Sequence, residues 1–497
     1  MTQSFRTILM TYSAVLCFTS PAVSETAEDS RLRQEAITGE AAVQDLIEAI
    51  DSALNEWEDI EAAPDAAGEP LRLDVERAVG VALERNPAVS QADAEVDAAE
   101  ARVGAARSPM MPEISVRSAY TYLDYDPPDL LGARFPALGV LNRLFQVDRL
   151  TPDKDTRTDQ AELRQVLYAG GSIRAGLDAA RSLADAQALE REVTIQQLVY
   201  DVQEAYYDAL LTDALVRVAR ESVRTFERNR RDAQEMFDAG MISRFEVLRA
   251  ETELSARKTD ATAAENGRRL AMANLRRILN LPRNAPLVLD GAFEGEPVRT
   301  PVEEAVTEAL AERPELKALH KGIDAAEAGQ RTVRGEFLPR VAATVEYTNL
   351  EGAPAFTPDG WSFNLGAEWT LFAGGRRWHQ LREARADTRA VQHQLSEVER
   401  LVELDVTNAY IQTRDAMAQV RSERDTVELA REGLRMAELR FQEGAGTQSE
   451  LLEAELALTS AETSLAEALR NFAVASAAMD RALGRPWDKQ FPGRQAD

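Results

Sequence analysis

"LYAGG" at residues 167–171 and "LFAGG" at residues 371–375 repeat one phrase at an offset of 204 residues. Each closes a segment of alternating polar and apolar residues and opens a long run free of proline. Landmarks downstream keep the offset: Tyr206 with Tyr410, Gly240 with Gly444, Pro282 with Pro486. Upstream, Pro87 matches Pro314 and Pro112 matches Pro339, in both cases 227 residues apart. The 23 additional residues of the first half fall in "DPPDLLGARFPALGVLNRLFQVDR", whose prolines and glycines read as a loop. A tandem duplication accounts for all of these matches.

Each copy runs helix, proline, alternating strand, loop, alternating strand, "AGG", very long helix, glycine turn, long helix, proline. In "WSFNLGAEWTLF" (361–372), Trp361, Phe363, Leu365, Ala367, Trp369 and Leu371 share one face, opposite Ser362, Asn364, Gly366 and Glu368. "RVAATVEYTNL" (340–350) sets Val341, Val345 and Tyr347 against Ala342, Thr344 and Glu346. In the first half Ile114, Val116, Tyr120 and Tyr122 alternate with Ser115, Arg117 and Thr121, and their partner around 161–168 is less regular. A soluble sheet packed on one face alternates too. Aromatics near the strand ends, with no apolar helix to cover the sheet, favour lipid. Trp361, Phe363, Leu365, Trp369, Tyr120 and Tyr122 are the candidate lipid-facing residues.

From Gly171 to Gly240 nothing stops a helix except Gly176 near its start, and about 69 residues at 1.5 Å each reach roughly 100 Å. Ile195, Leu198, Val202, Ala205, Ala209, Thr212, Val216, Ala219, Val223 and Phe226 step by threes and fours, a heptad seam that needs a coiled-coil partner. The expected partner is the helix returning from the Gly240 turn over residues 243–279, and Gly444 makes the same turn in the second half. Four strands per chain leave two unpaired edges that lipid cannot satisfy, so strands from several copies are expected to close one barrel. Three copies give twelve strands, wide enough to hold water. Gly170, Gly171, Gly374 and Gly375 then mark barrel-to-helix junctions, where a sharp change of direction suits a residue without a Cβ. Pro112 and Pro339 end the preceding helices where a missing N–H costs little.

Composition sets the surroundings. In the 497-residue chain, a single charge at Arg6, an apolar run over 8–18 and small residues at 22–24 read as a secretory signal, residues 1–24. The sole cysteine, Cys17, lies inside it. A lipoprotein box would need a small residue before it, and Leu16 stands there, so removal with the signal is the expectation. A net charge of −27 argues against nucleic acid, since phosphate binding needs clustered Lys and Arg. His320, His379 and His393 have no metal-ligand spacing, and no phosphate loop, nucleophile elbow or cofactor motif occurs. Residues 25–70 carry fourteen acids against Arg31 and Arg33, yet Val43, Leu46, Ile47, Ile50, Leu54 and Trp57 form an apolar stripe, so one amphipathic helix and a linker are expected there. It would pack around the middle of the helical barrel or await a partner. The remaining division is a first repeat at 71–282, a linker at 283–300, a second repeat at 301–487 and a flexible tail at 488–497.

Over residues 71–487 the chain resembles the TolC-type outer membrane efflux proteins, with the "NP/RP" helix starts, "P-x-[IV]" strand entries, "AGG" junctions and glycine-turned hairpins in that family's order. The resemblance implies a mainly α-helical homotrimer. Each chain would give four strands to a twelve-stranded barrel in the outer membrane of a Gram-negative bacterium, continued by an α-helical barrel across the periplasm. It also implies the partners, a periplasmic adaptor and an inner-membrane pump of a tripartite efflux or type I secretion system, and a duct that is not an enzyme and holds no cofactor. Family tips of the form "G-x-x-[ST]" dock the adaptor, and here "AGMIS" supplies Gly240, Met241 and Ser243 while "GAGT" supplies Gly444, Gly446 and Thr447. Helix C-capping explains the glycines equally well. Acidic rings narrow the mouth in relatives, and Glu450 and Glu453 match those positions. A solvated helix face is the alternative. The first tip offers Glu246 and Arg249 instead, a departure that leaves the family's closing salt bridges unassigned. A periplasmic adaptor and a soluble coiled-coil scaffold are the competing readings, but an adaptor carries one hairpin rather than two between amphipathic strand pairs.

Overall fold

The proline-free runs fold as the two longest helices of a computed structural model that describes residues 70–122, 124, 155–351 and 360–487. The expected signal with Cys17, the acidic extension up to residue 69, most of the inserted loop and the tail at 488–497 lie outside the described residues. The order is β1 (Leu71–Leu73), α1 (Val75–Arg85), α2 (Pro87–Arg107), β2 (Glu113–Tyr122), β3 (Asp155–Ala169), α3 (Ser172–Asp238) and α4 (Arg244–Ile278). It continues with β4 (Leu287–Leu289), α5 (Val302–Glu312), α6 (Pro314–Gly335), β5 (Arg340–Glu351), β6 (Gly360–Glu368), α7 (Arg376–Gln442) and α8 (Gln448–Ala482). Helices α3 and α7 each have 67 residues. The returning helices α4 and α8 each have 35.

The seam of α3 is buried at Ile195, Leu198, Val202, Ala205, Ala209, Val216 and Phe226. The expected partner α4 packs on it, and so do α1, α2, α6 and α8. Length is the reason, because a 35-residue helix covers only about half of a 67-residue one. Helix α2 takes over where α4 ends. The amide of Asn86 donates to the Ile278 carbonyl at 2.8 Å, and that of Asn280 to the Arg85 carbonyl at 2.9 Å, so the two short helices abut. In the second half the corresponding corner holds a buried arginine. Arg313 reaches Asp405 on α7 at 2.6 Å and Glu315 at 3.0 Å. Beside it Gly484, at φ +70°, leaves a Cβ no room, 2.9 Å from the Arg313 Cα.

The main core gathers Leu73, Val79, Val199, Val202, Tyr206, Leu275 and Leu279 where the parallel pair β1–β4 crosses α3. Tyr206 donates its hydroxyl to the Leu73 carbonyl at 3.3 Å, and burial pushes the phenol up to about 12, which keeps the proton on as a donor. A second cluster joins Leu316, Val402, Val406, Met479 and Leu483, tying α6 to α7 and α8.

The sheet has the order β2-β3-β5-β6, antiparallel throughout, so the middle pair links the two halves of the chain. Two expectations about its strands change. Strand β3 begins at Asp155, six residues ahead of the expected start, because the polar stretch 155–160 keeps register with β2. Strand β6 ends at Glu368, whose partner Arg340 directly follows Pro339, and a proline has no N–H to carry the ladder on. Trp369 and Leu371 lie beyond the strand. Trp369 instead donates its indole N–H to the Phe337 carbonyl at 3.0 Å, at the end of the preceding helical segment.

Candidate functional site

The sheet separates its side chains by chemistry. One face carries the rows Ile114–Leu163–Val345–Phe363 and Val116–Ala161–Tyr347–Trp361. The other carries Ser115–Glu162–Glu346–Ser362 and Glu113–Arg164–Thr344–Asn364. Period-two alternation produces this in each strand, and matched registers turn it into a band four strands wide. The apolar band is bare. Trp361, Phe363 and Leu365 are 76%, 72% and 61% exposed, where a water-soluble sheet would bury such side chains. Toward the far end the same face turns polar, with Arg157 beside Tyr120 and Asp155 beside Tyr122. Tyr120 and Tyr122 share the apolar face but sit at this margin, the Tyr120 hydroxyl donating to Asp155 at 2.7 Å.

The junctions differ in construction. Gly170 and Gly171 adopt φ of +63° and +81°, and Gly374 and Gly375 adopt +61° and +83°. Ahead of the first pair, Leu167 bulges out of β3 between Val166 and Tyr168 and turns the strand toward α3. Gly170 lies against the end of α6, where a Cβ would stand 2.1 Å from the Gly335 carbonyl oxygen. At Gly374 there is open space.

At the opposite ends of the long helices, Gly240 at φ +74° and Gly444 at φ +71° close α3 and α7. Met241 N–H returns to the Met236 carbonyl, and Ala445 N–H to the Arg440 carbonyl, the six-to-one bond of a Schellman cap. Ser243 and Thr447 occupy the N-cap positions of α4 and α8. Only Thr447 caps with its side chain, its hydroxyl accepting from the Glu450 N–H at 3.2 Å. Thr447→Ala is expected to cost about 1 kcal/mol of local stability and Ser243→Ala almost none. Amide exchange in the first turns of α8 and α4 measures the difference.

The two tips expose different surfaces. The first presents Met241 and Phe245, each 69% exposed, and Leu248, whereas the second is polar around Gly446. Phe245 and Leu248 escape the sequence reading because they look like ordinary members of a helical pattern. Glu450 is ion-paired to Arg440 at 3.5 Å, Glu453 is exposed and Glu246 is half-buried. Two links between the hairpins also escape it. Arg249 on α4 donates to the Ser449 hydroxyl on α8 at 2.6 Å, and Asn229 on α3 donates to Glu455 on α8 at 2.6 Å. Glu455 had one sequence signal, a carboxylate four residues from Leu451 on an otherwise apolar stripe.

Among the described residues no helix is long and apolar enough to cross a membrane, which says nothing about strands. The chain matches the profile of the outer membrane efflux protein family over residues 78–281 and 305–485. It is 26% identical over 423 residues to protein CyaE of Bordetella pertussis, covering 82% of this chain and 84% of that one. It is 24% identical over 341 residues to the outer membrane efflux protein BepC of Brucella suis, covering 67% and 74%. Its fold superimposes on the outer membrane protein VceC of Vibrio cholerae with a TM-score of 0.69 at 16% identity, covering 82% of this chain and 96% of that chain. Long helical hairpins, an amphipathic four-stranded sheet and a profile match spanning both halves lead to one assignment: this chain belongs to the outer membrane efflux protein family.

Proposed function

We propose that the chain is the outer membrane exit duct of a tripartite efflux or type I secretion system, built as a homotrimer of tandemly repeated chains. The observation that carries this reading is the bare apolar band on a sheet whose opposite face is polar and whose outer strands β2 and β6 have open edges among the described residues. Pairing β6 of one copy with β2 of the next, three times over, closes twelve strands with lipid outside and water within. A second feature supports assembly. Leu404, Ile411, Leu429 and Met436 are exposed on α7 at spacings near whole helical turns, a stripe suited to a neighbouring copy's helix. The long helices extend the pore into the periplasm, and the duct performs no chemistry.

In this reading the tips meet the periplasmic adaptor, which receives cargo from an inner-membrane pump. Gly240, Met241, Ser243, Gly444, Gly446 and Thr447 shape the docking surface. Glu450, Glu453 and Glu246 line the aperture, Glu450 with its charge partly offset by Arg440. The glycine pairs and Pro112 and Pro339 form the barrel-to-helix junctions.

Full-length protein should partition with outer membranes and run as a heat-labile trimer in detergent. Recovery as a water-soluble monomer would favour the coiled-coil scaffold and end this reading. In planar bilayers, Glu450→Ala combined with Glu453→Ala should reduce cation-over-anion selectivity severalfold, because symmetry sets six such carboxylates around one constriction. Unchanged selectivity would remove these two residues from the aperture.

A further inference from the structure

Among the described residues only two charged side chains are buried, and the structure treats them oppositely. Arg313 is matched by two carboxylates. Glu455, 5% exposed, has no ion pair. On α8 it lies between Leu452 and Leu456, which pack in one apolar cluster with Phe226, Leu254 and Val223, and its carboxylate accepts a hydrogen bond from the Asn229 amide. A buried acid without a counter-charge keeps its proton rather than pay for desolvated charge. The surrounding charges do not reverse this. From α7 Glu438 repels the carboxylate, and from α3 Arg228 attracts it more weakly than burial opposes it. On α4 the guanidinium of Arg257 lies over the Phe226 ring and is engaged by Glu253 and Asp260.

Position gives this proton a consequence. Glu455 belongs to the second hairpin and lies eight residues beyond the Thr447 cap, about 12 Å up α8. Asn229 and Phe226 belong to the first hairpin, and Leu254 is on its returning helix α4. The carboxyl is thus part of the seam between the two hairpins close to their tips.

We infer that Glu455 is a proton-operated latch between the hairpins: protonated, it lets them pack, and ionised, it drives them apart at the mouth. The inference rests on the duct reading only for its transport consequence. Burial pushes the carboxyl up to about 7, while a loosened, hydrated seam would return it to the ordinary carboxylate range. The packed form therefore holds its proton more tightly. Packing is favoured in acid and weakens progressively as pH rises from about 4.5 through about 7. Between pH 5 and pH 8 the ratio of loosened to packed seams should rise up to about a hundredfold.

The test places spin labels on full-length protein at Arg231→Cys and Ala457→Cys, one on each side of the seam, and reads their separation from pH 5 to pH 8.5. The expected result is a shift toward longer, broader separations with a midpoint between about 4.5 and about 7, abolished by Glu455→Gln, which keeps the shape of the protonated acid. A separation unchanged across that range overturns the latch, as does a Glu455→Gln protein with the same transition. A second readout is single-channel conductance, expected to rise with pH in the parent and to stay at its acid value in Glu455→Gln. Labels that move in a protein that forms no pore would sustain the latch and refute the duct, so the two failures are distinguishable.

Discussion

Gly170→Ala is expected to destabilise the folded chain by about 3 kcal/mol or more, whereas the same change at Gly374 costs about 1 kcal/mol. Both glycines are left-handed, at φ of +63° and +61°, and that alone penalises a Cβ by about 1–2 kcal/mol. The surroundings make the difference. At Gly170 the new methyl would sit 2.1 Å from the Gly335 carbonyl oxygen and 2.9 Å from the Leu338 Cβ, and backbone cannot step aside as a flexible side chain can. Relieving that overlap adds about 1–3 kcal/mol. At Gly374 the methyl meets nothing within 4 Å. Thermal unfolding followed by helical circular dichroism should show a clearly lower midpoint for Gly170→Ala than for Gly374→Ala. Equal midpoints would mean that the end of α6 does not clamp the first junction.

Arg313→Met should cost about 3 kcal/mol, well above the roughly 1 kcal/mol expected for Asn86→Ala at the corresponding corner of the first half. Methionine replaces the volume but strands Asp405, which keeps only Arg481 at 3.8 Å, and also Glu315. Both carboxylates are about one-third exposed, so water tempers the loss and the lower end of the range for a broken buried pair applies. Adding Asp405→Asn to Arg313→Met should restore part of the stability, because the orphaned charge is removed with its partner. Denaturant midpoints of the single and double variants measure this. A double variant no better than the single would show that lost packing, not stranded charge, is the cost.

The long helices and the strand pairs could be read from the chain because their causes are local. Absence of proline permits 67 residues of helix, and period-two alternation assigns Trp361, Phe363 and Leu365 to one face. Strand ends were less legible, since a strand lasts only as long as its partner. Asp155–Gln160 looks like loop but is held by β2, and Trp369 looks like strand but has lost its pairing at Pro339. The tips divide in the same way. The glycine caps follow from sequence, whereas Asn229 and Glu455 are 226 residues apart and meet only because α3 packs against α8, the returning helix of the other hairpin. The contrast between Gly170 and Gly374 was invisible for the same reason: identical phrases meet different neighbours.

The hydrogen bonding of β3 to β5 fixes the two strand pairs of one chain into a single panel, and only β2 and β6 face outward to strangers. Those two margins are unlike each other, so each panel has a left and a right side, and in the proposed trimeric duct they would join head to tail. No seam in such a circle is spare: a copy with one spoiled margin leaves one gap in the ring, and lipid cannot mend it. A chain damaged only in β6 should accordingly be dominant over intact chains made in the same cell.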